Sequence, residues 1–561
     1  MDAPVLSVRA LGVVPRDART PDARGPAILE GVSFDLAAGS SVGIVGASGA
    51  GKSTLGLALL RLLPDGLLPT PGSSARLAGR ELFSLGAAEL RDVRGRQLAM
   101  VFQEPITALN PSMRVGDQLA EAVTVHGEKD ARAARARATE MLDRVGIPDA
   151  AEAAQRYPHE FSGGMRQRLL LAMPLMLDPL LIIADEPTTA LDPVRQARML
   201  DLLEQLRQRS GTALMLITHD LDLVGERCER VLVLDGGRIV EDGAPAAVLS
   251  GARSAAAQRL ARHRLALPTG GANASASAPG TPADPPRADS PRGASPLLEV
   301  RSLCVRYAER RRGLRATQAV EAVQDATLHV ARGEVLGVVG ESGCGKTSLA
   351  QAILRLVPCV AEALRLDGAD LTRVEGEALR RLRRRIQYMP QDAGASLSPH
   401  LTCEALVAEG PVVHGLCGPG EAVARARILL ESLGLPADAA SRLPRALSSG
   451  QRQRVALART LAVEPELLVC DEPVSAVDPP TRGHLLDTLS RLREERGLAL
   501  LFISHDLAAV ARVADRIAVM HAGRIVETGP TRAVLSAPAH AATRTMLAAV
   551  PTGLPRRSAL A

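Results

Sequence analysis

Lysine is almost absent from this 561-residue chain: among 67 basic residues only Lys52, Lys129 and Lys346 are lysine, and the rest are arginine. Basic and acidic residues are interleaved, and the formal net charge is only +5. Proteins that bind nucleic acid usually concentrate their positive charge on one face or segment. The even distribution argues against nucleic acid as a partner, and it makes the placement of the few lysines informative.

Close cysteine pairs are missing as well. The seven cysteines, at positions 228, 304, 344, 359, 403, 417 and 470, show no ligand-like spacing. This pattern argues against a disulfide framework and against a metal site. A reducing compartment such as the cytosol fits the cysteine usage best.

The sequence also lacks a long uninterrupted apolar run. The longest apolar stretch, "LLLAMPLMLDPLLIIAD" at residues 169–185, is broken by Pro174, Asp178 and Pro179. A membrane-spanning helix needs about 20 mostly apolar residues, so we expect a buried helix, a turn and a buried strand instead. The first residues lack the basic and apolar regions of a secretory signal. We therefore expect a soluble chain, and this expectation leaves a membrane partner open.

A low-complexity segment divides the chain. Residues 265–296, "LALPTGGANASASAPGTPADPPRADSPRGASP", are rich in alanine, proline, glycine and serine. Such a segment buries too little apolar surface to offset the entropy of ordering it. We predict a flexible linker here, between a first domain at 1–264 and a second domain at 297–561.

The two flanking segments repeat each other. "GASGAGKST" at residue 46 returns as "GESGCGKTS" at 340, "IIADEPTTALD" at 182 as "LVCDEPVSAVD" at 468, and "LITHDL" at 216 as "FISHDL" at 502. The spacing between copies drifts only from 294 residues at the first motif to 286 at the last. In each copy, strand-like apolar segments alternate with helical ones, which predicts an α/β fold around a mainly parallel sheet.

The glycine-rich motif is typical of a phosphate-binding loop. Its glycines let backbone N–H groups point at phosphate oxygens, and the following helix presents its positive N-terminal end to the same charge. Lys52 can reach the β and γ phosphates as a compact charge, and the Ser53 hydroxyl can bind Mg²⁺. The second copy supplies Lys346 and Thr347. Arginine is larger and flat, so it does not fit such a loop.

Each copy has two adjacent carboxylates after a predicted buried strand, and a histidine 34 residues beyond the aspartate. These residues are Asp185, Glu186 and His219 in the first copy, and Asp471, Glu472 and His505 in the second. The aspartate can hold Mg²⁺, and the glutamate can orient or deprotonate an attacking water. A single histidine after a strand is more often structural, but the shared spacing favours contact with a γ-phosphate.

With these motifs, both halves resemble ATP-binding cassette (ABC) ATPase domains, and the resemblance covers nearly everything outside the linker. It implies for each half a mainly parallel sheet core, an antiparallel β subdomain and a helical subdomain. The helical subdomain carries the signature, "FSGGM" at 161 and "LSSGQ" at 447. The resemblance further implies two bound ATP molecules with Mg²⁺, each between the glycine loop of one half and the signature of the other. The halves would therefore pair within the chain.

The resemblance assigns site residues by position. The catalytic residues would be Glu186, His219, Glu472 and His505. The ATP-binding residues would be Gly46, Ser48, Gly49, Gly51, Lys52, Ser53, Thr54, Gln103, Ser162, Gly163, Gly164, Tyr307, Gly340, Ser342, Gly343, Gly345, Lys346, Thr347, Ser348, Gln391, Ser448, Gly450 and Gln451. The Mg²⁺ ligands would be Ser53, Gln103, Asp185, Thr347, Gln391 and Asp471. Asp192 and Asp478 occupy the D-loop positions.

The two sites are predicted to differ. The second signature has Ser449 where the family usually has glycine, which adds a Cβ where backbone meets phosphate. Its "SSGQ" keeps a capping-box pattern, whereas Met165 removes this pattern from the first signature. The family often stacks adenine on an aromatic residue before the glycine loop. Tyr307 suits that role in the second half, but Pro15 takes the corresponding place in the first.

Three segments narrow the resemblance to the ATPases of the dipeptide, oligopeptide and nickel importers. They are "FQEPITALNPSMRVGDQL" from Phe102, "YPHEFSGGMRQR" from Tyr157 and "SAPAHAATRTMLAAVP" from Ser536. This resemblance implies a fused ATPase pair at the cytoplasmic face of the cell membrane. It would drive two permease subunits fed by an extracytoplasmic substrate-binding protein. Peptides, glutathione-like compounds, nickel and metallophores all stay open as substrates.

Two other classes of tandem cassette protein fit less well. Soluble tandem cassettes that act on ribosomes usually join their halves by a long charged helix, and tandem ATPases of sugar importers usually have a degraded second glycine loop. Some relatives of the peptide importers carry a cysteine cluster after the first ATPase core. None lies between Cys228 and Cys304, so no iron–sulfur site is expected.

Overall fold

The computed structural model describes residues 4–16, 26–102, 109–188, 191–262, 264, 296–308, 319–392, 394–474 and 479–553. Gln103, Asp478 and all of the predicted linker except Pro296 lie outside these described residues. The linker and the domain limits at 264 and 297 therefore stay predictions.

The first half contains a six-stranded sheet and a smaller antiparallel sheet. The strands are β1 (Leu6–Pro15), β2 (Leu29–Leu36), β3 (Ser41–Val45), β4 (Leu67–Pro69), β5 (Ser74–Leu77), β6 (Arg80–Glu81), β7 (Leu98–Val101), β8 (Leu181–Asp185), β9 (Ala213–Ile217), β10 (Arg230–Asp235) and β11 (Arg238–Gly243). The six-stranded sheet has the order β11-β10-β3-β9-β8-β7 and is parallel except for the edge strand β11. The smaller sheet has the order β2-β1-β5-β6, with β4 also paired to β1.

The helices of the first half follow the alternation that the sequence predicts. They are α1 (Lys52–Leu59), α2 (Ala87–Arg96), α3 (Val115–Thr124), α4 (Ala131–Arg144), α5 (Ala150–Ala153), α6 (Gly163–Leu175), α7 (Pro193–Ser210), α8 (Leu221–Arg227), α9 (Pro245–Gly251) and α10 (Ala255–Arg262).

The second half repeats this architecture. Its strands are β12 (Leu298–Ala308), β13 (Ala319–Val330), β14 (Val335–Val339), β15 (Ala363–Leu366), β16 (Ala369–Asp370), β17 (Ile386–Met389), β18 (Leu467–Asp471), β19 (Ala499–Ser504), β20 (Arg516–His521) and β21 (Arg524–Pro530). The six-stranded sheet has the order β17-β18-β19-β14-β20-β21, again with one antiparallel edge strand, and the smaller sheet has the order β13-β12-β15-β16. The predicted α/β class, with a mainly parallel core and an antiparallel β part in each half, is confirmed.

Apart from α5, whose place is taken by a 3-10 helix at Ala437–Ser441, the helices of the second half correspond in order to those of the first. They are α11 (Lys346–Ile353), α12 (Gly376–Arg385), α13 (Cys403–Val413), α14 (Pro419–Ser432), α15 (Ser449–Leu461), α16 (Pro479–Arg496), α17 (Leu507–Val513), α18 (Thr531–Ser536) and α19 (Ala541–Ala549). Helices α13 to α15 pack on one another and form the helical part that carries the second signature.

The central strands are apolar throughout because both faces of the sheet are covered. All five residues of β8 are buried. Alternate side chains of a strand point to opposite faces, and here Ile183 packs with α1 and the small antiparallel sheet, whereas Ile182 packs with the helical part. Continuous apolar strands of this kind are typical of parallel sheets.

The apolar stretch at residues 169–185 forms the three predicted elements. Helix α6 includes Pro174 in its last turn, Asp178 lies in the turn with φ +45°, and β8 follows. Over the ranges that the structure describes, helices long and apolar enough to cross a membrane are absent.

The two halves contact each other through equivalent helices. Helix α19 packs on α7, and α10 packs on α16. The first residues of the two C-terminal helices, Ala255 and Ala541, are 286 positions apart, and so are Pro193 and Pro479 of the helices that they contact. Each C-terminal helix therefore contacts the equivalent helix of the other half, as an approximate two-fold relation between the halves requires.

The end of the second half makes a further contact with the first half. The Thr552 amide N–H donates to Oε1 of Glu226, 2.6 Å away, on helix α8 of the first half. At the equivalent place in the second half stands Arg512, which pairs with Asp487 instead. An arginine cannot accept a hydrogen bond from a backbone amide as Glu226 does.

Candidate functional site

In each half the glycine-rich motif forms the loop between a buried strand and a helix. Gly51 and Gly345 are the N-cap residues of α1 and α11, with φ of +98° and +108°. A Cβ on Gly51 would lie 2.7 Å from Leu29 Cδ2, and one on Gly345 would lie 2.2 Å from the Ala322 carbonyl oxygen. Both the backbone conformation and the space therefore require glycine.

The two loop lysines have nearly identical surroundings. Lys52 Nζ donates to the carbonyl oxygens of Gly46 and Ala47, both at 2.9 Å. Lys346 Nζ donates to Gly340 at 2.8 Å and to Glu341 at 3.0 Å. Only 7% and 5% of these side chains are exposed. A compact ammonium fits between two backbone carbonyls, and the flat guanidinium of arginine would need more room.

A buried aspartate at the end of β8 or β18 lies beside the first hydroxyl residue of each loop helix. Burial raises the pKa of Asp185, and a hydrogen bond from Ser53 partly offsets this effect. Burial likewise raises the pKa of Asp471, where Thr347 supplies the opposing hydrogen bond. One oxygen of each carboxylate, Oδ1, is buried without a hydrogen-bond partner.

This donor set suits a hard divalent cation. A carboxylate oxygen without a partner and a neighbouring hydroxyl are the kinds of ligand that Mg²⁺ uses, together with phosphate oxygens and waters. A buried carboxylate oxygen without any partner is costly, and a cation would satisfy it. The residues present therefore fit Mg²⁺ in both halves.

A glutamate and a histidine meet beside each aspartate. Nδ1 of His219 lies 3.2 Å from Glu186 Oε1, and Nδ1 of His505 lies 3.0 Å from Glu472 Oε1. Both glutamates have positive φ, 44° and 50°, in the left-handed region. Such strained residues cluster at functional sites because the surrounding structure must hold them in place.

In the second half a third residue joins this group. Gln391 Nε2 donates to Glu472 Oε2 at 2.8 Å. Burial would raise the pKa of Glu472, but the hydrogen bond and the charge of His505, the charge of Lys346 and the Gln391 amide together lower it. Glu472 is thus held as a carboxylate. It can orient a neighbouring water, or accept a proton from it. The equivalent Gln103 lies outside the described residues.

The two signatures begin helices α6 and α15. Ser162 caps α6 by accepting from the Met165 amide, without a capping box. Ser448 caps α15 with a full box, in which Gln451 Oε1 accepts from the Ser448 amide at 3.0 Å. The predicted difference in capping between the two signatures is therefore confirmed. Ser449 lies in the first turn of α15.

One half reaches the glycine loop of the other through its D-loop. Asp192 Oδ2 accepts from the Ser342 amide at 3.0 Å, and Arg195 Nη2 donates to the Ser342 carbonyl at 2.8 Å. Only 1% of Asp192 is exposed. Arg195 was missed by the sequence reasoning, because Thr481 stands at its place in the second half and no repeated pattern marks it.

Strand register supports the predicted correspondence between Tyr307 and Pro15. Val305 of β12 pairs with Val323 of β13, and Val13 of β1 pairs with Leu29 of β2, so Val305 and Val13 are equivalent. Tyr307 and Pro15 each lie two residues further along these strands. Tyr307 is 38% exposed, and its hydroxyl donates to Ser348 Oγ at 3.3 Å. An exposed ring beside α11, the helix that follows the second glycine loop, can stack on a planar ligand. A proline cannot replace that aromatic surface.

A family profile described as ABC transporter matches residues 29–189 and 323–475. This chain belongs to the ABC transporter family. The paired matches cover both glycine loops and both aspartate–glutamate pairs. As an ABC ATPase, the chain binds and hydrolyses ATP, and it does so with two ATPase domains in one polypeptide.

Relatives align with this chain through both of its halves. The chain is 41% identical over 568 residues to the glutathione import ATP-binding protein GsiA of Escherichia coli (strain K12), covering 99% of this chain and 90% of the relative. It is 40% identical over 547 residues to the protein of the same name in Pectobacterium atrosepticum, covering 94% and 87%.

Two solved structures are similar to part of the chain. CbiO1 from Clostridium perfringens, part of the ABC transporter complex cbiONQ, is 25% identical with a TM-score of 0.38, covering 45% of this chain and 92% of that one. The ATP-binding cassette MJ0796, in a dimeric post-hydrolysis state with ADP and Pi, is 25% identical with a TM-score of 0.37, covering 43% and 98%.

Proposed function

We propose that this chain is the fused ATPase pair of an ABC importer for glutathione or a similar short peptide. The observation that carries the proposal is the 41% identity to glutathione import ATP-binding proteins across 99% of the chain, through both halves. The chain would act at the cytoplasmic face of the membrane. Its partners would be two permease subunits and an extracytoplasmic substrate-binding protein.

Each ATP would bind between the two halves. One composite site combines Lys52, Asp185, Glu186 and His219 with Ser448 and Gly450. The other combines Lys346, Asp471, Glu472 and His505 with Ser162, Gly163 and Gly164. The contact of Asp192 and Arg195 with Ser342 supports this arrangement, because it places the first half's D-loop at the second half's glycine loop.

The mechanism assigns a separate task to each residue. The lysine ammonium holds the β and γ phosphates, and the loop N–H groups surround them. The loop hydroxyl and the buried aspartate would hold Mg²⁺, which would supply positive charge to stabilise the phosphates. The glutamate orients the attacking water and accepts its proton, and the histidine bonded to that glutamate fixes its direction. Closure of the halves by ATP, and reopening after hydrolysis, would drive the permeases.

Uptake by cells tests the proposed substrate. Deleting the gene should abolish uptake of radiolabelled glutathione, and the wild-type chain should restore it. The Glu186→Gln, Glu472→Gln variant serves as the matched control and should not restore it. Unlabelled dipeptides and nickel salts, added as competitors, would identify a peptide or a metal substrate instead.

Purification from membranes tests the proposed partners. The chain should be recovered with two integral membrane proteins after mild detergent extraction. Recovery with ribosomes and without any membrane protein would overturn the import function and support a soluble tandem factor.

A substitution of Tyr307 tests the predicted asymmetry of the adenine contact. Stacking of a base on an aromatic ring contributes about 1–3 kcal/mol, so Tyr307→Ala should weaken nucleotide binding at the second site about tenfold. Tyr307→Phe keeps the ring and should bind normally, and Pro15→Ala should change little. Titration with a fluorescent ATP analogue measures both sites. Normal affinity in Tyr307→Ala would show that the ring does not contact the base.

A further inference from the structure

Tyr388 lies on the strand next to the one that ends in Asp471. In the register of β17 and β18, Tyr388 is paired with Val469, two residues before Asp471. Residues two apart on a strand share a face, so Tyr388 and Asp471 project to the same side of the sheet. The Tyr388 hydroxyl donates to Asp471 Oδ2 at 3.0 Å.

This hydrogen bond makes the two oxygens of a fully buried carboxylate different from each other. Asp471 is 0% exposed. Oδ2 is engaged by Tyr388, and Oδ1 is the oxygen without a hydrogen-bond partner. A carboxylate whose second oxygen is held in this way has less freedom to rotate, so the direction of its first oxygen is defined.

The first half has no equivalent donor at this position. Met100 is paired with Ile183, two residues before Asp185, just as Tyr388 is paired with Val469. A thioether cannot donate a hydrogen bond. Met100 therefore cannot hold an oxygen of Asp185 by a hydrogen bond, as Tyr388 holds Oδ2 of Asp471.

We propose that Tyr388 is a positioning residue that holds Asp471 for the divalent cation of the second site, so that the two cation sites differ in affinity. The inference rests on the proposed role of Asp471 as a Mg²⁺ ligand. Hydrogen bonds to a ligating carboxylate orient it and tune its affinity for the metal, and removing such a partner typically costs about 10- to 100-fold in metal affinity.

Binding of Mn²⁺ tests the inference without relying on turnover. The full-length chain is loaded with a non-hydrolysable ATP analogue, and bound Mn²⁺ is followed by electron paramagnetic resonance. We expect two classes of Mn²⁺ site in the wild type, the tighter of which disappears in Asp471→Asn. Tyr388→Phe keeps the ring and removes only the hydroxyl, and should weaken the tighter class about tenfold. The class that is lost in Asp185→Asn should stay unchanged.

The reciprocal variant gives an independent measurement. Met100→Tyr offers a hydroxyl at the equivalent place, and it should tighten the weaker class. Met100→Phe is its matched control, because it adds a ring without a donor, and should have no such effect.

The possible failures are distinguishable. If Asp471→Asn removes no Mn²⁺ class, both the ligand assignment and the role of Tyr388 are overturned. If Asp471→Asn removes a class but Tyr388→Phe leaves its affinity unchanged and lowers only the melting temperature, the hydroxyl merely stabilises the fold, and the inference alone is overturned.

Discussion

Replacing Glu186 and Glu472 together by glutamine should leave ATP binding intact and lower ATP turnover at least about 100-fold, the usual minimum contribution of general acid–base catalysis. Glutamine keeps the size of the side chain and an oxygen that can accept from His219 or His505, but it cannot take a proton from water. Radiolabelled ATP binding and phosphate release measure the two properties separately.

Exposed glutamates of the same chain provide the control for this double substitution. Glu494 and Glu495 lie on the exposed face of α16, and replacing both by glutamine should leave turnover unchanged. The single variants Glu186→Gln and Glu472→Gln report how the two sites share the activity. Normal ATPase activity in the double variant would contradict the assignment of both glutamates.

Lys52→Ala and Lys346→Ala should differ in their effect on ATP turnover, with the larger loss in Lys346→Ala. Each substitution removes charged hydrogen bonds to phosphate, worth about 1.5–3 kcal/mol each, from its own site. The two ammonium groups have matching geometry, so the difference must come from other parts of the sites. The site of Lys346 has Tyr307 beside its loop helix and the two-glycine signature opposite, whereas the site of Lys52 is opposed by Ser449.

The third lysine of the chain is a natural control for this comparison. Lys129 is exposed and lies far in sequence from both glycine loops, so Lys129→Ala should keep full activity. Lys52→Arg and Lys346→Arg test the size of the loops, since both should lose activity although they keep the positive charge. Equal losses in the two alanine variants would contradict the predicted asymmetry.

The glycine loops show how much local sequence predicts. The requirement for glycine at Gly51 and Gly345, the lysine between backbone carbonyls and the strand before each loop all follow from a short stretch of chain. The position of the carboxylates at the end of β8 and β18 also follows from local sequence, because each carboxylate comes directly after an apolar strand and so lies at one edge of the sheet. Most of the fold and most of the site residues could be named in this way.

The signatures could also be interpreted locally. The capping box of Ser448 and Gln451, and its absence at Met165, depend on residues three positions apart. Helix caps are formed within one turn, so no knowledge of the tertiary structure is needed. The roles that the family resemblance assigns to these signatures stay proposals.

Contacts between distant segments could not be predicted. The hydrogen bond from Tyr388 to Asp471 joins residues 83 positions apart, and the Ser342 amide meets Asp192 across 150 positions. The contact between Thr552 and Glu226 spans 326 positions, and Arg512 stands at the place of Glu226 in the second half. The repeated motifs contain Asp471, Asp192 and Ser342, but nothing in the motifs indicates which distant residues these three contact.

By itself the sequence determined that this protein has two copies of one α/β ATPase domain and which residues form each phosphate-binding loop, because loops, caps and strand ends depend on neighbouring residues. Only the tertiary structure decided which oxygen of Asp471 is held by Tyr388 and which residues of one half touch the glycine loop of the other. Those contacts depend on strand register and on the packing of the two halves, which are set by the folded chain as a whole.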